Sequence, residues 1–333
     1  MLNVQVRIRR VPPGLPTPED FEVLESPAPP LTAGTFLCRT RWLAIDPTVA
    51  AATGPGSAGT PPRPGEVVPS LAVCDVLESR HDVFTTGSHV VVDSGLQKLF
   101  VSDGTGVRSL HTGQTPASSA LGVLGPPGLA AYFGLLDLAA MRPGETVLVS
   151  AASDAAGSMA GQIAALMGAR AIGIAGSKEK CDWVTRHARF AACINRRTQD
   201  VGARLKQLAP RGVDIFFDST GGELLQTVLG GQHLAQGGRV ILNTISGRDA
   251  SLDSAAMNLA FAQLPGARLL QLNFADYRRR REQFLKDAIA WFGAGRIAYK
   301  DDIVDGLERA PGQLCKTRRG ENFGRPLIRM GAS

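Results

Sequence analysis

Polar and apolar positions along the chain follow two different rhythms. Over residues 1–122 the apolar positions come in short runs, among them Phe36-Leu-Cys-Arg-Thr-Arg-Trp-Leu-Ala-Ile45 and His89-Val-Val-Val-Asp93, separated by clusters of Gly and Pro. Short strand-like runs at such spacing predict a compact, mostly β unit. The stretch from Thr53 to Gly65 is so dense in glycine and proline that it reads as a loop, either beside an active cleft or simply on the surface. From Thr146 the pattern changes. Strand-like Thr146–Ser150 is followed by helical Met159–Met167, strand Ala171–Ala175, helix Glu179–His187 and strand Ala192–Ile194. Helix Asp200–Leu208, strand Val213–Asp218, helix Glu223–Leu234 and strand Arg239–Asn243 complete the series. Such alternation requires a parallel sheet with right-handed crossovers, so residues 123–298 are expected to form a Rossmann-type, doubly wound α/β domain. In the last segment, residues 299–333, Ile303-Val304 and Pro326–Arg329 look like strands with no helix between them long enough to continue the winding. That segment is expected to return to the first domain, leaving the active cleft between the two.

Composition adds bounds. A chain of 333 residues exceeds a single typical core and suits two domains. Hydrophobic residues at 44% and charged residues at 20% are globular values and exclude a disordered or fibrous class. The net charge of +6 and pI near 9.3 would attract an anionic cofactor or a nucleic acid. Much of the excess sits in local runs such as Arg278–Arg281, which read as a solvated helix face, so no nucleic-acid partner is expected. The start, Met1–Arg10, lacks the apolar core of a signal peptide, and no stretch nears the ~18 apolar residues of a membrane span. A cytoplasmic location and no membrane partner are the resulting expectations. The five cysteines (Cys38, Cys74, Cys181, Cys193, Cys315) form no Cys-x-x-Cys pair, and the five histidines show no metal-ligand spacing, so no metal is expected.

The chemistry is concentrated after the first strand of the second domain, in Ser150-Ala-Ala-Ser-Asp-Ala-Ala-Gly-Ser-Met-Ala-Gly161. A turn that binds a pyrophosphate needs small residues so that backbone amides can approach it at a helix N-terminus. Ala152, Asp154 and Gly157 fall at the three glycine positions of G-x-G-x-x-G, and Ala155, Ala156 and Gly157 are the residues of this turn expected to bind the cofactor. Asp154 brings a negative charge to that place; two like charges ~4 Å apart repel by about 4 kcal/mol at an effective dielectric of 20. Either Asp154 turns aside to cap the helix, or it closes the cofactor site. After the second strand, Gly176, Ser177 and Lys180 stand where an NAD-binding domain carries an acidic residue, and Arg196-Arg197 follow the third strand. That cluster favours a 2′-phosphate, hence NADPH over NADH, unless it is merely a solvated helix start.

Across Leu121–Leu136, Arg142–Ser150, Gly173–Ser177, Phe217–Glu223 and Gly320–Gly324, the sequence resembles the medium-chain dehydrogenase/reductase superfamily over nearly its whole length. Within it, the chain resembles the zinc-independent, NADPH-dependent alkenal/alkenone reductases that include the prostaglandin and leukotriene reductases. The resemblance implies a GroES-like β domain beside the Rossmann domain, and hydride transfer from NADPH to the β-carbon of an α,β-unsaturated carbonyl. By matching motif, Lys180 and Arg196 would hold the 2′-phosphate, Asn322 would lie near the nicotinamide, and Thr244-Ile245 with Leu272-Asn273-Phe274 would line its ribose and carboxamide. Asp46-Pro47 matches the family's Asp-Pro-Tyr turn, but Thr48 replaces the tyrosine, and Ile245-Ser246 runs into Gly247-Arg248-Asp249 without the family's loop tyrosine. Pro126 and Ala130 replace a usual Met and Thr. These departures surround the reacting carbon and keep open an alternative: a redox-neutral cyclase, isomerase or dehydratase with a lost or repurposed cofactor site. Asp46, Thr48 and Asn243 are then the candidate polar groups for catalysis. A non-catalytic binding protein is a third class. The expected partners are a small-molecule substrate, a specialised metabolite, and a second copy of the chain docked through Ala256–Leu272.

Overall fold

The computed structural model describes residues 1–12, 14–45, 63–110, 115–243, 264, 266–272 and 277–331. The chain divides into two units, one of Met1–Leu121 with Asp301–Ser333 and one of Gly122–Lys300. In the first, β1 (Leu2–Ile8) and β2 (Phe21–Pro27) form an antiparallel pair. A second sheet contains β3 (Phe36–Ala44), β4 (Leu71–Ser79), β5 (His89–Asp93), β6 (Leu99–Ser102) and β7 (Arg108–Ser109). Alternation sets its buried face: Ala72, Cys74 and Val76 of β4 point into one core with Phe36, Cys38, Val90 and Val92.

In the second unit the strands are β8 (Thr146–Val149), β9 (Arg170–Ala175), β10 (Ala192–Asn195), β11 (Val213–Asp218), β12 (Leu234–Leu242) and β13 (Arg268–Gln271). They form one parallel sheet in the order β10-β9-β8-β11-β12-β13. The helices are α1 (Pro126–Phe133), α2 (Ala155–Leu166), α3 (Lys178–Arg186), α4 (Val201–Leu208), α5 (Gly222–Gly230) and α6 (Arg281–Gly293). The strands are apolar on both faces because each face has its own core. Val147, Val149, Ile215 and Phe217 join Phe133, Met159, Ile163 and Phe284 on one side, while Leu148, Phe216, Ile172 and Ile174 join Leu205, Leu225 and Val240 on the other. This is the Rossmann-type fold with a mostly β companion that the sequence predicts.

Two expectations are corrected. The helix predicted over Glu223–Leu234 stops at Gly230, and Leu234 opens β12 instead. Gly230-Gly231 lack the side chains that favour a further turn, and Gln232 adopts the left-handed conformation at φ 52°. Between β14 (Asp301–Asp305) and β15 (Arg325–Arg329) lies a nine-residue helix, α7 (Ala310–Arg318), connecting two parallel strands where no such helix was expected. Pro311 and Gly312 disguise it; Pro is at home in a first helical turn, where its missing N–H is not needed. β15 pairs antiparallel with β3, and Leu307, Ala310, Leu314, Cys315 and Ile328 enter the core of the first unit beside Val6, Ile8 and Leu43.

The packing of α2 on the sheet depends on Gly161. A methyl group there would stand 1.9 Å from Cζ of buried Phe190. Gly161→Ala is therefore expected to cost about 1–3 kcal/mol, the usual range for overpacking, measured as a lowered midpoint of denaturant unfolding; an unchanged midpoint would show that Phe190 has another place to go.

Candidate functional site

All sheet residues of interest sit at the carboxyl ends of parallel strands, where the order reverses between β8 and β11, the position at which open α/β sheets bind ligands. Ser150 follows β8 and Asp218 ends β11, and both are fully buried. The Ser150 hydroxyl donates to Asp218 Oδ1 at 2.7 Å and accepts the Ser219 amide at 2.8 Å. The amides of Thr220 and Gly221 donate to the two Asp218 oxygens at 2.9 and 3.0 Å. Burial raises the Asp218 pKa, opposed by these donors. The network ties the two strands together at the reversal point. The sequence reading left both residues without a role, although a Ser and an Asp ending two apolar strands are a signal of this kind.

The phosphate turn leaves β8 through Ala151, held at φ 46°, and continues through Ala152, whose amide donates to Ile174 O at 3.1 Å. Asp154 is the N-cap residue of α2, with extended backbone, and its carbonyl accepts the Ser158 amide at 2.8 Å. Its carboxylate makes no capping hydrogen bond to the helix, although its place at the N-terminus favours an acidic group. Ala155, Ala156 and Gly157 form the first turn of α2, which begins four residues before the predicted start at Met159. Gly157 is required sterically: a methyl group on it would stand 2.3 Å from Ala151 O. The turn thus keeps the small residues and the close approach that a pyrophosphate needs.

Next to it, α3 begins at Ser177, whose Oγ accepts the Lys180 amide at 3.2 Å. The Arg196 amide donates to Ala175 O at 3.0 Å, and the Arg197 amide to Asn195 Oδ1 at 3.1 Å. Both arginines are exposed, and Arg197 Nε lies 3.7 Å from the point where Gly176 would carry a methyl group. Gly176, Ser177, Arg196 and Arg197 therefore meet at one turn, which carries two arginines, with Glu179 in the first turn of the helix that follows. Arg197, quoted in the sequence only as a neighbour of Arg196, is the arginine that overlies it.

The other expected residues are placed as follows. The Asn243 amide donates to Asp218 O at 2.8 Å, and its side-chain Nδ2 donates to Ser219 Oγ at 2.9 Å, so Asn243 extends the same network. Leu272 turns its side chain into the core with Phe217 and Ile241. Asn322 belongs to the first unit, buried, with Nδ2 donating to Gly324 O at 2.9 Å. Asp46, Thr48, Thr244, Ile245, Asn273 and Phe274 lie outside the described residues, as do Thr53 to Pro62 of the breaker-rich stretch and most of 256–272. Of the arginine run, Arg280 pairs with Asp137 at 2.9 Å and lies over the Phe133 ring. Among the described residues no three His, Cys, Asp or Glu side chains gather to hold a metal, and no helix is long and apolar enough to cross a membrane.

Two family models match the chain: the N-terminal domain of oxidoreductase over residues 4–110, and zinc-binding dehydrogenase over residues 155–285. Prostaglandin reductase 1 of Bos taurus is 34% identical over 328 residues, covering 95% of each chain. The NADPH-dependent curcumin reductase of Escherichia coli is 32% identical over 327 residues, covering 96% of this chain and 94% of its own. The crystal structure of CurA in complex with NADPH from Vibrio vulnificus superposes with a TM-score of 0.92 at 33% identity, covering 99% of this chain and 100% of that one. The expectation that Asp154 closes the cofactor site finds no support beside these NADPH-dependent relatives and the intact small-residue turn.

Proposed function

The chain belongs to the medium-chain dehydrogenase/reductase superfamily, and from that membership we infer that it is an NADPH-dependent reductase of α,β-unsaturated carbonyl compounds. The observation that carries the reading is the turn after β9, where Ser177 caps α3 and Arg197 overlies Gly176. A ribose diol calls for a carboxylate there; a 2′-phosphate calls for cations and free amides. Bound NADPH supplies a hydride to the β-carbon of the conjugated substrate. The residues of this chain position that event. The first turn of α2 at Ala155–Gly157 receives the pyrophosphate, while Ser177, Lys180, Arg196 and Arg197 hold the 2′-phosphate. The Ser150–Asp218–Asn243 network fixes the ends of β8, β11 and β12, beside which the dinucleotide would lie. The substrate is a small molecule, for which we propose a specialised metabolite, and the enzyme is proposed to work in the cytoplasm as a homodimer joined along the β13 edge.

Titration of the purified chain with NADPH and NADH, followed by fluorescence, tests the reading together with loss of NADPH absorbance on a panel of enones. Preference for NADPH with turnover of an enone is expected; binding of neither cofactor would overturn it. Arg197→Ala is expected to raise KM for NADPH about 10–100-fold, the range of a lost hydrogen bond to a charged group, and to leave KM for NADH as it was. An unchanged KM for NADPH would remove Arg197 from the phosphate site.

A further inference from the structure

At the amino ends of β8, β9 and β11, opposite the turns assigned to the cofactor, three loops come together: residues 142–145, 168–169 and 209–212. Two of them are tight turns with proline at the second position. Arg142-Pro-Gly-Glu145 is closed by the Glu145 amide on Arg142 O at 3.3 Å with Gly144 at φ 85°, and Ala209-Pro-Arg-Gly212 by the Gly212 amide on Ala209 O at 2.9 Å. The loops are also tied to one another. The Gly144 amide donates to Gly168 O and the Arg170 amide to Glu145 O, each at 2.8 Å; the Thr146 amide donates to Asp214 Oδ2 at 2.7 Å, and Arg170 Nη1 to Leu208 O at 2.5 Å. This frame surrounds a cavity of about 630 Å³, whose charged lining is Arg142, Arg170 and Arg211 with Glu145 and Asp214.

The two carboxylates are already engaged. Glu145 Oε1 accepts Nη2 of the buried Arg239 at 2.6 Å and Oε2 accepts the Arg142 amide at 2.8 Å, while Asp214 holds the start of β8 through Thr146. The arginines are not. Arg142 and Arg211 are exposed, and among the described residues neither guanidinium has an ion pair or a hydrogen bond; Arg170 gives one nitrogen to an uncharged carbonyl. The charge left open at the cavity is positive, and it comes from three loops that are far apart in sequence.

We infer that this cavity is a second anion site, which binds a small phosphorylated molecule through Arg142, Arg170 and Arg211. A phosphoryl group carries about 1.5–2 negative charges at pH 7, enough to engage more than one guanidinium, and its oxygens match the paired N–H donors of each fork. The cavity lies within the ~300–1,000 Å³ of small-molecule sites, so it has room for more than a bare phosphate. The loops are hydrogen-bonded in place without a ligand, so binding has only side chains to order. Thr146 and Asp214 stand at the start of the strands that end at Ser150 and Asp218. The site is therefore separate from the dinucleotide turn and does not depend on the NADPH reading.

The test uses the whole chain with saturating NADPH, titrated at constant ionic strength with sodium tripolyphosphate and, separately, with ribose 5-phosphate, and followed by calorimetry. One equivalent of either probe is expected to bind and to raise the unfolding midpoint, as any ligand of the folded state does. The double variant Arg142→Gln with Arg211→Gln is expected to weaken that binding about tenfold or more with its own unfolding midpoint unchanged, because both side chains are exposed. Arg197→Ala, at the cofactor turn, is expected to leave it as it was. The tighter probe identifies the source as a phosphate ester or a polyphosphate chain. No binding of either probe, binding that survives the double variant, or binding lost in Arg197→Ala overturns the inference. A chain that binds no NADPH overturns the cofactor reading alone, since the same probes and variants still locate this site.

Discussion

Gly157→Ala is expected to destabilise the chain by about 2–3 kcal/mol and to lower NADPH affinity by about tenfold or more. The added methyl group would stand 2.3 Å from Ala151 O, 2.9 Å from Ala151 C and 3.1 Å from Ala152 Cα. All three are backbone atoms, so no rotamer change relieves the clash. The turn has little room to move, because Ala151 is already at φ 46° and the amide of Ala152 is committed to Ile174 O. Either α2 lifts from β8 or the turn changes shape, and both displace the amides at the start of α2 from the pyrophosphate. Unfolding midpoint and cofactor titration, run on the same preparation, check the two halves. A variant of normal stability with normal affinity would mean that the close approach of helix and turn has no role in binding.

Asp218→Ala is expected to cost about 3–5 kcal/mol. It leaves the Ser150 hydroxyl and the amides of Thr220 and Gly221 without their acceptor, and each unsatisfied buried donor costs ~1–3 kcal/mol. Asp218→Asn separates the charge from the shape. Burial raises the folded-state pKa of Asp218 above the ordinary carboxylate value of 3.8, so between those two values the folded chain holds the proton more tightly than the unfolded chain does. The contribution of this group to stability is therefore fully present below the unfolded pKa and declines as pH rises through the folded one. Unfolding midpoints from pH 3.5 upward should show wild type losing stability relative to Asp218→Asn as pH rises; parallel curves would show that the carboxyl group titrates alike in both states.

Much of this was legible along the chain, for reasons that differ by element. The bounds of Val213–Asp218 are legible because Ile215-Phe216-Phe217, buried on both faces of the sheet, form an apolar run that ends abruptly in Asp218. The helix predicted over Glu223–Leu234 overruns because Leu225, Val228 and Leu229 keep a helical spacing up to Gly230-Gly231 and Leu234 beyond them is again apolar, while the pattern does not register the backbone reversal at Gln232. α7 escaped notice for the opposite reason, since Pro311 and Gly312 read as breakers although a first turn tolerates them. In the site, the cationic turn could be read because charge type is local in sequence. The Ser150–Asp218 hydrogen bond could not, since its partners are 68 residues apart and meet only when β8 and β11 become neighbours.

The return of the chain to its first unit also sets an order of assembly. Trp42, Leu43 and Ala44 of β3 take as partners Arg329, Ile328 and Leu327, which are synthesised only after the whole second unit. While the ribosome is still making the second unit, that stretch of β3 has an unclaimed row of backbone donors and acceptors, a template for pairing with other nascent chains. The parallel sheet of the second unit has all its described strands by Gln271 and need not wait. A stop codon falling before β15 would spare every described strand of the dinucleotide fold and yet leave the first unit permanently open at that edge.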